Sequence, residues 1–200
     1  MTATAMPVAV VLAGGRSRRM LGSDKALALI AGERMIDRVL RRLVPQAGEV
    51  LLSAPHDYST GCTAIPDLAD GPSGPVGAIR AVAQALAARG IDGFVTVPVD
   101  APFVPRDLVA RLAASGPVAM ARTQDAWQPA FALWHAPAVL GALPPARCGE
   151  NWSLRGLGDE LGAVGVDFSD TRALTNVNTP EELELARQIA ARDAEPGERG

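Results

Sequence analysis

Hydrophobic positions along the chain fall into two rhythms. Short unbroken apolar runs stop at glycine or proline, and longer stretches carry apolar residues at helical spacing. Pro7 to Ala13 (PVAVVLA) is the first run, β-branched and ended by Gly14-Gly15, and it predicts a strand buried on both faces. Ala26 to Ile30 predicts a short strand or turn before Gly32. Ile36, Val39, Leu40 and Leu43 then recur with helical period, arginines opposite, which predicts a helix over 35–43. Glu49 to Ser53 and Thr63 to Ile65 predict further strands, and Asp67 to Pro75 (DLADGPSGP) a glycine-proline loop. The spacing predicts a helix over 76–88 ended near Gly90, the strongest later strand over 93–99, and a helix over 105–114 with proline in its first turn. Strands are expected at 118–121 and 130–134, a helix capped by Asn151 running through Leu161, and a last strand at 163–168. Thr179-Pro180-Glu181-Glu182 has the layout of a capping box and predicts a helix to about Ala191.

Strands alternating with helices at this spacing imply an α/β fold with a mostly parallel central sheet and helices on both faces. In such sheets ligands sit beyond the carboxyl ends of strands. Two segments therefore matter most: Gly14 to Lys25, after the first strand, and Asp100 to Pro105, after the strong later one.

A length of 200 residues suits one domain, expected over 1–192, with the polar tail 193–200 expected to be disordered. The net charge of −3 gives no general attraction to nucleic acid or an anionic membrane, yet residues 16–25 are strongly basic, which points to a small anionic ligand. No apolar run approaches a membrane span, and the first residues lack the pattern of a signal peptide. Cys62 and Cys148 make no metal-ligand spacing, and neither histidine stands in a metal or triad pattern. A cytoplasmic home is expected.

The chemistry concentrates in the two strand-end segments. Gly14 and Gly15 let backbone N–H groups approach an anion, and Arg16, Arg18, Arg19 and Lys25 add charge. Lys25 is the single lysine among nineteen Lys and Arg residues. A compact, mobile ammonium retained where the chain otherwise uses arginine points to a phosphate whose geometry changes. Neither a P-loop nor a dinucleotide-binding fingerprint is present. Asp100, at a strand end in V-D-A-P-F-V-P, is a candidate Mg²⁺ ligand, since Mg²⁺ usually takes one or two carboxylates plus phosphate oxygens and water. Asp67 could serve similarly or bond a ribose. Asn176 and Asn178, just before the last helix, offer two amides and a helix N-terminus to a second anionic ligand.

Taken in order, these motifs resemble a known family. V-V-L-A-G-G-R-S-R-R-M-L-G-S-D-K (residues 10–25) resembles the nucleotidyltransferase signature, and its second glycine and D-K ending resemble those of the molybdenum cofactor guanylyltransferases. V-D-A-P-F-V-P, D-L-A-D-G-P-S-G-P-V-G-A, and D-F-S-D followed by N-V-N-T-P-E-E-L are similar to that family's other motifs, over residues 7 to 190. The resemblance implies a Rossmann-like, glycosyltransferase-A-type nucleotidyltransferase fold and transfer of GMP from GTP to molybdopterin, with release of pyrophosphate. It implies that Leu12, Ala13, Gly14 and Gly15 contact the guanine and the start of the phosphates. Arg16 and Arg19 would grip the triphosphate, Lys25 would sit at the reacting phosphates, Asp67 on the nucleotide side and Asp100 on Mg²⁺. Ser53 would join the GTP-binding set, at a place where the family can carry asparagine, and Asn176 and Asn178 would face molybdopterin. Catalysis is expected to rest on Lys25, Arg19 and Asp100. Leu21 stands where the family usually has glycine, and Gly77-Ala78 orders the small residues unusually. A monomer is expected, with other molybdenum cofactor biosynthesis proteins and acceptor molybdoenzymes as partners. Two alternatives stay open: a molybdopterin cytidylyltransferase, and a catalytically silent nucleotide-binding module of the same fold.

Overall fold

A computed structural model of the chain describes residues 6–14, 19–20, 23–124 and 126–194. Seven strands form one sheet: β1 (Val8–Leu12), β2 (Glu49–Ser53), β3 (Ala64–Ile65), β4 (Gly93–Pro98), β5 (Ala119–Thr123), β6 (Ala126–His135) and β7 (Val164–Asp167). Their order across the sheet is 3-2-1-4-6-5-7. All neighbours pair parallel except β6, which runs antiparallel to both β4 and β5. The sheet is thus mostly parallel, with a single reversed strand.

β1 occupies the centre, with Val10 opposite Leu51 on one side and Thr96 on the other. Its alternation explains why it reads as an unbroken apolar run. Ala9 and Val11 enter one core and Val8 and Val10 the other, so both faces demand apolar side chains. The first core is closed by α1 (Met35–Leu43) and α3 (Leu108–Ala113), the second by α2 (Pro75–Ala87), α4 (Ala136–Ala142) and α5 (Leu154–Glu160). A third, smaller cluster seats Ala186 and Ala190 of α6 (Pro180–Ala194) on Ile30, Met35, Phe103 and Val177. Helices therefore cover both faces, as expected. A buried polar pair inside the sheet is satisfied internally: Trp134 Nε1 donates to Thr96 Oγ1 at 2.9 Å.

Several boundaries differ from the sequence reading. Ser153, not Asn151, caps α5: its hydroxyl accepts from the Gly156 N–H at 2.9 Å, and helix begins at Leu154. α3 starts at Leu108, because Pro105 belongs to the preceding turn, where its carbonyl accepts from the Leu108 N–H and the Gln46 side chain. The Ala26–Ile30 segment divides into a 3-10 turn, Lys25–Leu27, and a two-residue strand, Leu29–Ile30, that pairs with Glu33–Arg34. Helix α4 was not foreseen, and α6 continues to Ala194. Within the expected disordered tail, residues 195–200 lie outside the described residues.

The unusual order Gly77-Ala78 has a steric cause. A Cβ on Gly77 would stand 2.1 Å from the Pro72 carbonyl oxygen, so the first turn of α2 closes against the glycine-proline loop only with glycine there.

Candidate active site

The carboxyl ends of β1, β2 and β4 lie side by side. Beyond β1 the Ala13 N–H donates to the Ser53 carbonyl at 3.0 Å, and beyond β4 the Val99 N–H donates to the Leu12 carbonyl at 3.1 Å. Gly14 follows, and a Cβ there would press on the Ser53 carbonyl oxygen at 3.3 Å. Leu12, Ala13, Gly14 and Ser53 thus form one continuous backbone shelf. Ser53 is buried, and its hydroxyl oxygen makes no hydrogen bond. Asp67 sits exposed on the loop after β3, on the same edge of the sheet.

Lys25 reaches this edge from the segment that returns after β1. Arg19–Met20 pairs antiparallel with Ser23–Asp24, and the Asp24 carboxylate caps the 3-10 turn by accepting from the Ala26 N–H at 3.0 Å. This places Lys25 with only 8% of its surface exposed. Its Nζ lies 3.1 Å from Asp100 Oδ2 and 2.6 Å from Asn178 Oδ1. Residues from three distant motifs therefore meet at one ammonium group. Asp100 is itself held by its backbone, since its carbonyl accepts from the Val177 N–H at 2.7 Å.

The N-V-N-T-P segment is fixed at both ends. On its far side the capping box forms: Glu182 Oε2 accepts from the Asn178 and Thr179 N–H groups at 2.6 and 2.9 Å, and Thr179 Oγ1 accepts from the Glu182 N–H at 3.2 Å. On its near side D-F-S-D is scaffold. Asp167 receives Arg122 in a two-pronged ion pair at 2.6 and 2.8 Å, Phe168 lies under the Arg111 guanidinium, and Asp170 caps the turn Thr171–Leu174. The Arg122 guanidinium also holds the Asp167 carboxyl below its usual range. Asn176 keeps one buried side-chain oxygen without a hydrogen-bond partner, close in sequence to the Lys25 contacts.

Of the expected site residues, the structure joins Lys25, Asp100 and Asn178 directly and puts Leu12, Ala13, Gly14 and Ser53 on the adjoining shelf. Gly15, Arg16 and Leu21 lie outside the described residues, as does the side chain of Arg19, whose backbone alone is placed. A cavity of about 370 Å³ lies elsewhere, walled by Arg42, Phe103, Arg111, Phe168, Asp170 and Arg172. Arg111 and Arg172 there are engaged by Asp107 and Asp170 of the same wall, and none of Lys25, Asp100 and Asn178 lines it. The meeting point of Lys25, Asp100 and Asn178 thus lies at the carboxyl ends of the strands, outside this cavity. Sequence reading did not single out Tyr58, buried in the loop after β2, whose hydroxyl donates to Asp24 beside Lys25.

A 3-2-1-4-6-5-7 sheet in which Lys25 faces a carboxylate beyond the strand ends is a ligand-binding α/β arrangement, and the family match makes its class nucleotidyltransferase. A family model described as "MobA-like NTP transferase domain" matches residues 9–159. The chain is 37% identical over 189 residues to the molybdenum cofactor guanylyltransferase of Cereibacter sphaeroides, covering 92% of this chain and 97% of that one. It is 38% identical to the enzyme of the same name from Rhodobacter capsulatus, again over 92% and 97% of the two chains. Among solved structures, molybdopterin-guanine dinucleotide biosynthesis protein A from Archaeoglobus fulgidus superposes with a TM-score of 0.72 at 21% identity, over 92% of this chain and 99% of that one. The 2-C-methyl-D-erythritol 4-phosphate cytidylyltransferase of Thermus thermophilus shares the fold with a TM-score of 0.64 at 21% identity, over 93% and 100% of the two chains. The chain belongs to the MobA-like NTP transferase family. Among the described residues, no helix is long and apolar enough to cross a membrane.

Proposed function

We propose that this protein is a molybdenum cofactor guanylyltransferase, which transfers GMP from GTP to molybdopterin and releases pyrophosphate. The observation that carries the reading is the meeting of Lys25, Asp100 and Asn178 at one buried ammonium group. An ammonium has three N–H donors. Asp100 and Asn178 take two, and the third is available to a phosphate oxygen.

The reaction is an in-line displacement. The terminal phosphate of molybdopterin forms a bond to the α-phosphorus of GTP as the bond from that phosphorus to the bridging oxygen breaks, and pyrophosphate departs with the electron pair. A phosphate nucleophile is already ionised near neutral pH, so catalysis needs position and charge complementarity more than a strong base. Lys25 would follow the α-phosphate as its charge shifts. Arg16 and Arg19 would hold the leaving group, Leu12 to Gly15 and Ser53 would receive the nucleotide, and Asp67 would lie on its side. Asn176 and Asn178 would orient the pterin.

Mg²⁺ fits this donor set. Mg²⁺ bound to nucleotide phosphates needs only one or two protein carboxylates. Asp100 offers one, its side chain 15% exposed at a strand end and already facing a cation. Asp100 would hold the ion, and its chemistry there is neutralisation and polarisation of phosphate oxygens. The working unit is a monomer whose domain spans 1–192, cytoplasmic, passing its product to molybdoenzymes.

The decisive assay is pyrophosphate release with each nucleoside triphosphate, with and without molybdopterin. GTP alone should support molybdopterin-dependent release. Preference for CTP would identify a cytidylyltransferase, and tight GTP binding without release a silent module. Asp100→Asn should need far more Mg²⁺ for half-maximal activity, and an unchanged Mg²⁺ requirement would remove Asp100 from the metal site.

A further inference from the structure

Tyr58 packs its ring against that of His56, centroids 4.2 Å apart, but its hydroxyl reaches two groups of the candidate site. The residue follows β2 in a loop, 5% exposed, packed in the core that holds Ala13, Ala26 and Ala54. Its backbone is in the left-handed region, φ 52°, and so is that of Ser59, φ 55°. Consecutive non-glycine residues in that region are costly and persist only where the surroundings impose them. The imposing contacts are present. Arg34, itself clamped by Asp37, donates to the Tyr58 carbonyl at 2.8 Å.

The hydroxyl stands 2.9 Å from Asp24 Oδ2 and 3.3 Å from the Ala13 carbonyl oxygen. It has one proton, shared between the two acceptors: the main, charge-assisted bond goes to Asp24 and a longer branch reaches the Ala13 carbonyl, so the hydroxyl engages both sides of the gap. Ala13 lies within the backbone shelf beyond β1. Asp24 uses its other oxygen to cap the turn that begins at Lys25. A phenylalanine ring would fill the same space in the core, so packing does not account for the oxygen.

We propose that the Tyr58 hydroxyl is a positioning group for GTP: it fixes the separation between the Ala13 shelf and the Asp24-capped turn that presents Lys25. The inference rests on the guanylyltransferase reading above. A nucleotide that must meet both the shelf and the ammonium binds more tightly when their spacing is set beforehand, because less ordering is left to the binding step.

The test compares Tyr58→Phe, Asp24→Asn and the double variant in the pyrophosphate-release assay, with circular dichroism and thermal melting as controls for folding. Asp24→Asn keeps the cap oxygen and the shape but loses the charge that receives the hydroxyl. Each single variant should raise KM for GTP about tenfold, the size expected for one hydrogen bond to a charged group. The KM for molybdopterin should stay within about twofold, and the double variant should be no worse than the poorer single one. General damage to the fold would move both KM values and the melting temperature together. Asp24→Asn is the sharper arm, and it serves alone if Tyr58→Phe does not fold. It removes a negative charge beside a phosphate-binding lysine, so electrostatics alone predicts tighter GTP binding, whereas the positioning role predicts weaker. An unchanged KM for GTP in Tyr58→Phe, a lowered one in Asp24→Asn, or additive effects in the double variant would overturn the proposal. Wild-type protein that releases no pyrophosphate would instead overturn the functional reading itself.

Discussion

Replacing Lys25 tests the centre of the mechanism, because its stability and rate effects separate. Lys25→Ala leaves the Asp100 carboxylate without its cation, at a site where the two side chains are only 10% and 15% exposed. Removing one partner of a fully buried pair costs about 3–5 kcal/mol. Asp100 retains some contact with water, so about 2 kcal/mol is the expected loss. For a chain of this length that lowers the melting temperature by about 4–8 °C. The rate effect is larger, about 10²–10³-fold or ~3–4 kcal/mol, by analogy with loss of a charge-matched donor to a developing anion. Lys25→Arg keeps the charge opposite Asp100 and should recover most of the melting temperature. It should not recover the rate, because a planar fork of fixed geometry cannot serve Asp100, Asn178 and a moving phosphate oxygen from one point. Differential scanning calorimetry and single-turnover guanylylation give the two numbers. Full activity in Lys25→Arg would refute the compact-ammonium argument, and Lys25→Ala that melts early but turns over normally would make Lys25 structural.

Two further outcomes probe the frame around the site. Gly77→Ala should destabilise by about 1–3 kcal/mol or more as its Cβ meets the Pro72 carbonyl, although helix propensity alone predicts a gain of ~1 kcal/mol; a raised melting temperature would show that the loop yields freely. Glu33 has its pKa lowered, first by its hydrogen bond from Arg41. A carboxylate with a depressed folded-state pKa stabilises above its ordinary value of 4.5, and that contribution is lost as pH falls through the folded value. With the Glu33 side chain 27% exposed, Glu33→Gln should cost about 0.5–1 kcal/mol at pH 7, and urea titrations should show the difference vanishing in acid. A gap that persisted or grew in acid would contradict the ion-pair origin.

What could be read from the sequence follows from how local each signal is. β1, β2 and β4 are short, mostly apolar runs ended by glycine, serine or proline, and burial on both faces leaves few polar positions, Glu49 and Thr96 among them, to blur the signal. The capping box at Thr179 and Glu182 is likewise encoded within four residues, and it formed as read. The reversed strand β6 was beyond such reading, because its direction is set by pairing with β4 and β5, and a register shift between Gln128 and Ala132 breaks its alternation. Asn151 and Ser153 are both competent caps; the choice falls to Ser153 because the helix must start where Leu154 and Leu157 can both be buried. Helix α4 is short and carries Pro137 and Gly141, which mimic a loop.

The site shows the same division more sharply. Lys25 and Asn178 stood out as separate motifs, yet the 2.6 Å contact between them spans 153 positions and no local pattern encodes it. What encodes it is a relay of backbone geometry. Asp167 and Phe168 are pinned by Arg122 and Arg111, Asp170 starts the turn that delivers Asn176, and the Val177 N–H then docks on the Asp100 carbonyl. Asn178 arrives opposite Lys25 only because each of those joints holds. The D-F-S-D motif therefore acts at a distance: its side chains meet protein rather than Lys25, and their contribution is to aim an amide. This also accounts for a signature richer than the chemistry requires. In-line phosphoryl transfer needs few reacting groups on the protein, but those few must be held in register, and most of the recognisable sequence is spent on the holding.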